Sequence, residues 1–307
     1  MGGRSNLTYR LSDGTSSWVM RTPPRAGQTP SAHDIPREYR VTRALATTCV
    51  PVPRAVTLCD DTSIIGVPFA VAELVEGRTI RAQAELDTLD DASVDAITVE
   101  LVETLAALHQ IDHVAVGLQE FGRPDRYAER QVGRWARQWE IVGDPRLERL
   151  ASEVSAGLMA RLPDQQSAAI IHGDYRIDNT IVTNDSDRAP RIAAVLDWEL
   201  STIGDPVADV AMMCAYRYPV FDLIVGSPAA WTSPRLRGPA ELAGLYEKVG
   251  GATLVAWNFH LALAYFKIGV IAAGIDHRAR AGAASGIGFD TAGESVEVYL
   301  QLAHDRL

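Results

Sequence analysis

Cysteine is scarce in this chain: Cys49, Cys59 and Cys214 are the only three in 307 residues, with no CxxC pair and no metal-ligand spacing. That excludes a disulfide framework or a zinc module and fits a reducing, cytoplasmic compartment. Basic charge is also in deficit. Lys and Arg number 29 against 39 Asp and Glu, for a net charge of −10. Such a surface carries no electrostatic footprint for nucleic acid, although it leaves room for an anionic ligand in a local basic pocket. The first ten residues, MGGRSNLTYR, hold no apolar signal core. The most apolar late stretch, Leu261 to Ile275, is short for a bilayer and carries Lys267 inside it, so it reads as a buried helix and no membrane partner is expected. Internal repeats and low-complexity tracts are absent too. What is present is a 47% hydrophobic content, enough for a full core, over a length that suits two lobes.

The two halves differ in character. Residues 1 to about 76 read as β-rich with one helix. NLTYRL and SSWVMR alternate around the turn signal SDGT and predict a hairpin. SAHDIPREYRVTRALAT is helical, with His33 or Asp34 near its cap. PVPRAVTLCDD and GVPFAVAELVEG read as further strands. After Gly77, helices are expected over Asp91 to Gln110, Arg126 to Ile141 and Leu147 to Leu162. Ile170-Ile171 and Ile181-Val182 read as short buried strands bracketing a polar loop. RIAAVLDWEL is a strand running into a turn, and the chain from Pro206 onward is mostly helical.

Four constellations carry chemistry. Gly2 and Gly3 before a strand suit either a simple turn or a loop whose amides face phosphates. Arg21 ends a strand, while Ile35, Glu38, Thr42 and Leu45 share one helix face. A buried Glu38 needs a cation, and Arg21 is the candidate, unless the two form an ordinary surface ion pair. In HGDYRIDN, Asp174 and Asn179 are five apart, the spacing of the protein-kinase catalytic loop. One acid there orients the attacking hydroxyl, and an amide oxygen reaches a metal held by phosphates. Asp197 in LDWEL supplies a second carboxylate at a strand end. Both offer the hard oxygen ligands that Mg²⁺ prefers.

These segments resemble the aminoglycoside phosphotransferase and choline kinase superfamily. HGDYRIDN and LDWELSTIGDPVADVA are similar to its catalytic loop and metal-binding segment. GGRSNLTYRL, VMRTPP, HDIPREYRV, LAALHQID, RQVGRWARQW and FKIGVIAAGIDHRAR resemble the subgroup related to the kinase-like domain of the acyl-CoA dehydrogenase 10 and 11 proteins. The resemblance implies an α+β, protein-kinase-like bilobal fold. Residues 1–76 would form the nucleotide-binding lobe, beginning at the loop itself without the strand that precedes it in related proteins. Residues 77–307 would form the catalytic and substrate-binding lobe. It implies ATP and Mg²⁺ as cofactors and transfer to a hydroxyl of a small molecule, with a hydroxyacyl compound or hydroxyacyl-CoA favoured. An aminoglycoside acceptor and a catalytically weak, nucleotide-binding pseudokinase are the alternatives. No segment reads as an activation loop ending in A-P-E, which ranks protein kinase activity last. Asp174 would be the catalytic acid or base. Asn179 and Asp197 would hold the metal, Arg21 would grip phosphates and Glu38 would position it. Ser5 and Asn6 would lie in the phosphate-covering loop, and the backbone of Glu73 to Val75 would receive adenine.

Other polar residues have structural readings. His172 is expected to brace the metal-binding segment, and Asp178 to face solvent or Arg176. Asp205 reads as a helix cap before Pro206, and Asp209 as a brace for the catalytic loop. The acids from Glu85 to Asp95 read as a solvated helix start. Trp135 and Trp139 read as core, and Arg130, Arg134 and Arg137 as a solvated face able to bind an anion.

Overall fold

The computed structural model describes residues 6–23, 34–183, 189–282, 286 and 288–307. The hairpin forms as its pattern predicts, from β1 (Leu7–Ser12) and β2 (Ser17–Thr22), with Tyr9 opposite Met20. Asp13 closes the turn by accepting from the Thr15 and Ser16 amides, at 2.8 and 2.7 Å. Strands β3 (Ala55–Cys59) and β4 (Phe69–Glu73) complete an antiparallel sheet in the order β1-β2-β4-β3.

Helix α1 (Ile35–Leu45) packs on this sheet. Asp34 caps it, accepting from the Arg37 amide at 3.0 Å, and Pro36 suits its first turn. Its buried stripe is Ile35, Glu38, Val41 and Leu45. Thr42, expected on that stripe, lies at its border and turns its hydroxyl back onto the Glu38 carbonyl. A linker follows β4. Gly77 has φ +140°, and a Cβ there would lie 2.5 Å from Ile181 Cγ2, so only glycine lets the linker pass so close.

The second lobe is mainly helical. Helix α2 (Asp91–Gln110) buries Val94, Ile97, Leu101, Leu105 and Leu108, a stripe of helical period. Then come α3 (Tyr127–Val142) and α4 (Glu148–Met159). Four short strands follow: β5 (Ala169–Ile171), β6 (Thr180–Val182), β7 (Ile192–Val195) and β8 (Thr202–Gly204). The strands on either side of HGDYRIDN do not pair with each other; β5 pairs with β8, and β6 with β7. Both are too short and apolar to carry a register signal, so partner choice falls to the tertiary fold.

Helices α5 (Pro206–Ala215), α6 (Pro239–Lys248), α7 (Trp257–Arg280) and α8 (Val296–His304) finish the lobe. α7 packs against α3, α5 and α8. Among the described residues it is the one helix long and apolar enough to cross a membrane, and 83% of its apolar window is buried inside the protein. It is the axis of the core, as the interrupting Lys267 anticipated.

Candidate active site

The polar loop between β5 and β6 is anchored from beneath. Asp209, in the first turn of α5, accepts from the amides of His172 and Gly173, at 2.7 and 2.8 Å. His109 of α2 approaches the same carboxylate at 3.2 Å and also meets the Tyr246 hydroxyl at 2.7 Å. Burial works against ionisation of Asp209, but these donors hold its carboxyl below the ordinary aspartate range. Tyr175 adds a tie to α2 by donating to the Leu101 carbonyl at 2.8 Å. Gly173 turns the chain with φ +84°, and a Cβ there would come within 2.9 Å of the Leu200 carbonyl oxygen.

His172 is a brace, as expected. Its Nε2 lies 2.8 Å from the Leu196 carbonyl, and its Nδ1 accepts from the Asp174 amide at 3.2 Å. With both nitrogens engaged, His172 ties the catalytic loop to the residue before Asp197. Asp205 caps α5 through the Val207 amide at 2.9 Å.

Asp174 has a partner on each oxygen. Oδ1 accepts from Arg176 at 2.5 Å and Oδ2 from Asn179 at 3.0 Å. Asn179 also donates to the Asp174 carbonyl at 2.8 Å. Burial raises the Asp174 carboxyl, yet Arg176 and the Tyr216 hydroxyl leave it below the usual range. Arg176 is held in turn by Asp178, with two contacts of 2.9 Å, and stacks over the rings of Tyr216 and Phe221.

The cleft between the lobes measures about 360 Å³. Asn6, Arg21, Glu38, Glu73, Val75, Asn179 and Asp197 all line it. Ser5 and the preceding glycines lie outside the described residues. Val75 makes no backbone hydrogen bond through its amide among the described residues. Arg21 pairs with Glu38 and reaches Asp197 at 3.4 Å, so one guanidinium joins sheet, helix and the segment after β7. Its Nε is buried with no hydrogen-bond partner among the described residues. Burial raises Glu38 to about 7 against the pull of Arg21. Burial and then the Asp197 charge raise Glu199, also to about 7. Asp197 itself sits in the left-handed region at φ 63°, a conformation that costs energy for a non-glycine residue.

A metal and a nucleotide fit this donor set. Asn179 spends its amide nitrogen on Asp174, which leaves its carbonyl oxygen, and Asp197 adds a carboxylate in the same wall. Among the described residues no cluster of three or more His, Cys, Asp or Glu could hold a metal alone. Two protein oxygens completed by phosphate and water match how Mg²⁺ is bound.

Comparison with known proteins agrees with this geometry. A family model described as "Phosphotransferase enzyme family" matches residues 1–245. The chain belongs to that family. It is 36% identical over 280 residues to acyl-CoA dehydrogenase family member 11 of Homo sapiens, covering 90% of the chain and 35% of the relative. It thus spans about a third of the length of the curated relatives it matches, which include members 10 and 11. A solved Ralstonia eutropha protein, provisionally described as an aminoglycoside phosphotransferase, superposes with a TM-score of 0.84 at 32% identity, over 100% of this chain and 90% of that one. A ternary complex of the aminoglycoside phosphotransferase APH(4)-Ia with AMP-PNP and hygromycin B shares the fold, with a TM-score of 0.65 at 18% identity, over 100% and 92% of the two chains. The protein-kinase-like α+β fold, with a small sheet lobe and a helical lobe, is therefore established.

Sequence reasoning missed several groups. Arg176 meets Asp178, one of the two readings expected for that acid, but its second contact, to Asp174, was missed, although DYRID sets it between two acids. Arg37, beside Glu38, donates to the carbonyls of Ser201 and Phe121 and ties α1 to the second lobe. The acids at the start of α2 are exposed, as expected; two of them also meet arginines, Arg235 to Asp91 at 2.6 Å and Arg237 to Asp95 at 2.7 Å. Trp139 is buried, as expected, while Trp135 is only partly so.

Proposed function

We propose that this phosphotransferase moves the terminal phosphoryl group of ATP to a hydroxyl of a small molecule, with Mg²⁺ as cofactor. The observation that carries the reading is the convergence of Asp174, Asn179, Asp197 and Arg21. Asn179 is hydrogen-bonded to Asp174 and shares a cleft wall with Asp197 and Arg21. In this reading residues 1–76 are the nucleotide lobe and 77–307 the catalytic lobe. Adenine contacts the backbone of Glu73 to Val75. Asn6 and Ser5 cover the phosphates, and Arg21 grips them while Glu38 holds it. Asn179 and Asp197 hold the metal, which neutralises charge on the phosphates when bound.

Asp174 receives the proton of the acceptor hydroxyl. The acceptor oxygen forms a bond to phosphorus as the bond from phosphorus to the departing diphosphate oxygen breaks, and ADP leaves. Its partners on both oxygens fix Asp174 for this task, so catalysis is positioning and charge stabilisation.

A hydroxylated acyl compound, including a hydroxyacyl-CoA, is the favoured acceptor. Support comes from relatives named for acyl-CoA chemistry. An aminoglycoside, named for the fold neighbours, is less suited. A polycation needs free acids, and Asp91 and Asp95 are taken by arginines. The cytoplasm is the proposed compartment, supported by the free Cys49, Cys59 and Cys214.

The test is ATP turnover with Mg²⁺ against hydroxyacyl-CoAs, hydroxy acids, aminoglycosides and amino alcohols. Stimulation by one class, abolished in Asp174→Asn while ATP still binds, is the expected result. Full activity in that variant would overturn the role given to Asp174, while nucleotide binding with no turnover on any class would favour the pseudokinase reading.

A further inference from the structure

We propose that a cavity of the second lobe, apart from the nucleotide cleft, is a binding site for a small alkylammonium ion. The inference does not rest on the phosphotransferase reading. The cavity measures about 390 Å³ and shares no lining residue with the cleft. That volume falls in the range of small-molecule sites. Three parts of the chain build it: the stretch between α4 and β5, the start of α5, and the connection from α6 into the first turn of α7.

Its two buried polar residues are Asp205 and His260, 6% and 2% exposed. As the cap of α5, Asp205 spends Oδ1 on the Val207 amide. Oδ2 accepts no hydrogen bond among the described residues; His260 Nε2 stands 3.6 Å away, beyond hydrogen-bond reach. Nor does His260 supply a charge. Burial holds its imidazole below the ordinary histidine range against the pull of Asp205, so the ring is neutral near neutral pH. Its Nδ1 is buried with no hydrogen-bond partner among the described residues. No lysine or arginine among the described residues lines the cavity, and Asp164 at the exposed rim adds a second acid. A carboxylate so far from water is costly until a cation meets it.

The walls select the kind of cation. Among the described residues no group of three or more His, Cys, Asp or Glu could hold a metal ion. Pro163, Val207, Ala252 and Val255 instead offer apolar surface for a short alkyl chain. An ammonium brings three N–H donors. One serves the free Asp205 oxygen, and the Ser167 and Thr253 hydroxyls stand among the lining groups for the others. An anion would face two acids and no base.

The experiment titrates the full chain with n-propylamine, n-butylamine and n-hexylamine near neutral pH, with n-butanol as the uncharged control. Binding is read by calorimetry and located by hydrogen exchange. The amines are expected to bind at least about tenfold more tightly than butanol, the worth of one charged hydrogen bond. Exchange should slow in 163–167, 205–208 and 252–260. Asp205→Asn keeps an oxygen to cap α5 but loses the charge, and should weaken the amines about tenfold. Val255→Arg, at a position 44% exposed, sets a guanidinium at the mouth and should abolish binding. It also decides the case if Asp205→Asn fails to fold. Equal affinity for butanol, protection confined to other segments, wild-type binding in either variant, or no amine binding at all would overturn the proposal. So would displacement of the amine by Mg²⁺ or Zn²⁺ at lower concentration, which would mark a metal site.

Discussion

Arg37→Met tests whether the two lobes are coupled through α1. Arg37 directs Nε to the Ser201 carbonyl at 3.2 Å, and Nη2 to Ser201 and Phe121 carbonyls at 2.8 Å each. Its guanidinium also stacks 4.0 Å from the Phe121 ring. Ser201 and Phe121 are both almost fully buried, at 1% and 2% exposed. Methionine keeps most of the stem but loses every donor. Charged hydrogen bonds contribute about 1.5–3 kcal/mol each, and a buried carbonyl left unpaired costs about 1–3 kcal/mol. Arg37 is partly exposed, so water replaces some of the loss. The expected destabilisation is about 2–3 kcal/mol, read from urea unfolding midpoints.

The consequence should extend to function. Ser201 follows the short turn Trp198–Leu200 that begins at Asp197. Loosening Arg37 therefore frees both the helix carrying Glu38 and the segment carrying Asp197. Nucleotide affinity should drop about tenfold, the equivalent of about 1.4 kcal/mol. Arg37→Lys should recover part of both losses, since one ammonium can reach one carbonyl. Stability within about 0.5 kcal/mol of wild type, the range of an ordinary surface change, together with unchanged nucleotide affinity, would refute the coupling.

Three further outcomes are expected. Asp209→Asn should cost about 3–5 kcal/mol, because an amide would face the His172 and Gly173 amides in a buried site. Its folded carboxyl lies below the ordinary 3.8, so its stabilisation is present above that value and is lost as pH falls through the depressed one. The gap between wild type and variant in unfolding free energy should therefore narrow in acid. Glu38 runs the other way: raised to about 7 from 4.5, it keeps its proton longer when folded, so stability should decline as pH rises from 4.5 to about 7. Melting curves of Glu38→Gln should lack that part of the decline, and identical pH profiles would contradict the buried position. Gly77→Ala should lower the unfolding midpoint by the equivalent of about 1–3 kcal/mol, since its Cβ would press on Ile181 and the Val182 carbonyl in a backbone already at φ +140°.

How much of this was legible in the sequence depends on how local each signal is. The α1 cap, the β1–β2 turn and the α5 cap are set by residues within four positions of each other, and the structure has them where their chemistry predicts. The Asp174–Asn179 contact spans five positions and was equally readable. Strand pairing was not. β5 and β6 are each three residues long, with no alternation to choose a face or partner, and they find β8 and β7. The acidic run around Asp91 is exposed as expected, and what could not be read was its pairing with Arg235 and Arg237, more than 140 positions away.

The same reasoning explains why the reaction type could be read and the acceptor could not. Phosphoryl transfer needs an acid, an amide and a second acid placed within hydrogen-bond reach of one metal and one hydroxyl. Short loops between fixed strands supply that placement, and short loops leave motifs. An acceptor is recognised by side chains that the fold gathers from distant segments, and those leave no local motif. Lys267 reaches Gly173 across 94 positions, and Trp135 meets Lys267 only because two helices cross beneath the loop. In the sequence Lys267 served only to argue against a membrane span. Its place comes from the packing of α7 on α3, which brings the ammonium to the Gly173 carbonyl in a crevice that Asp209 also lines.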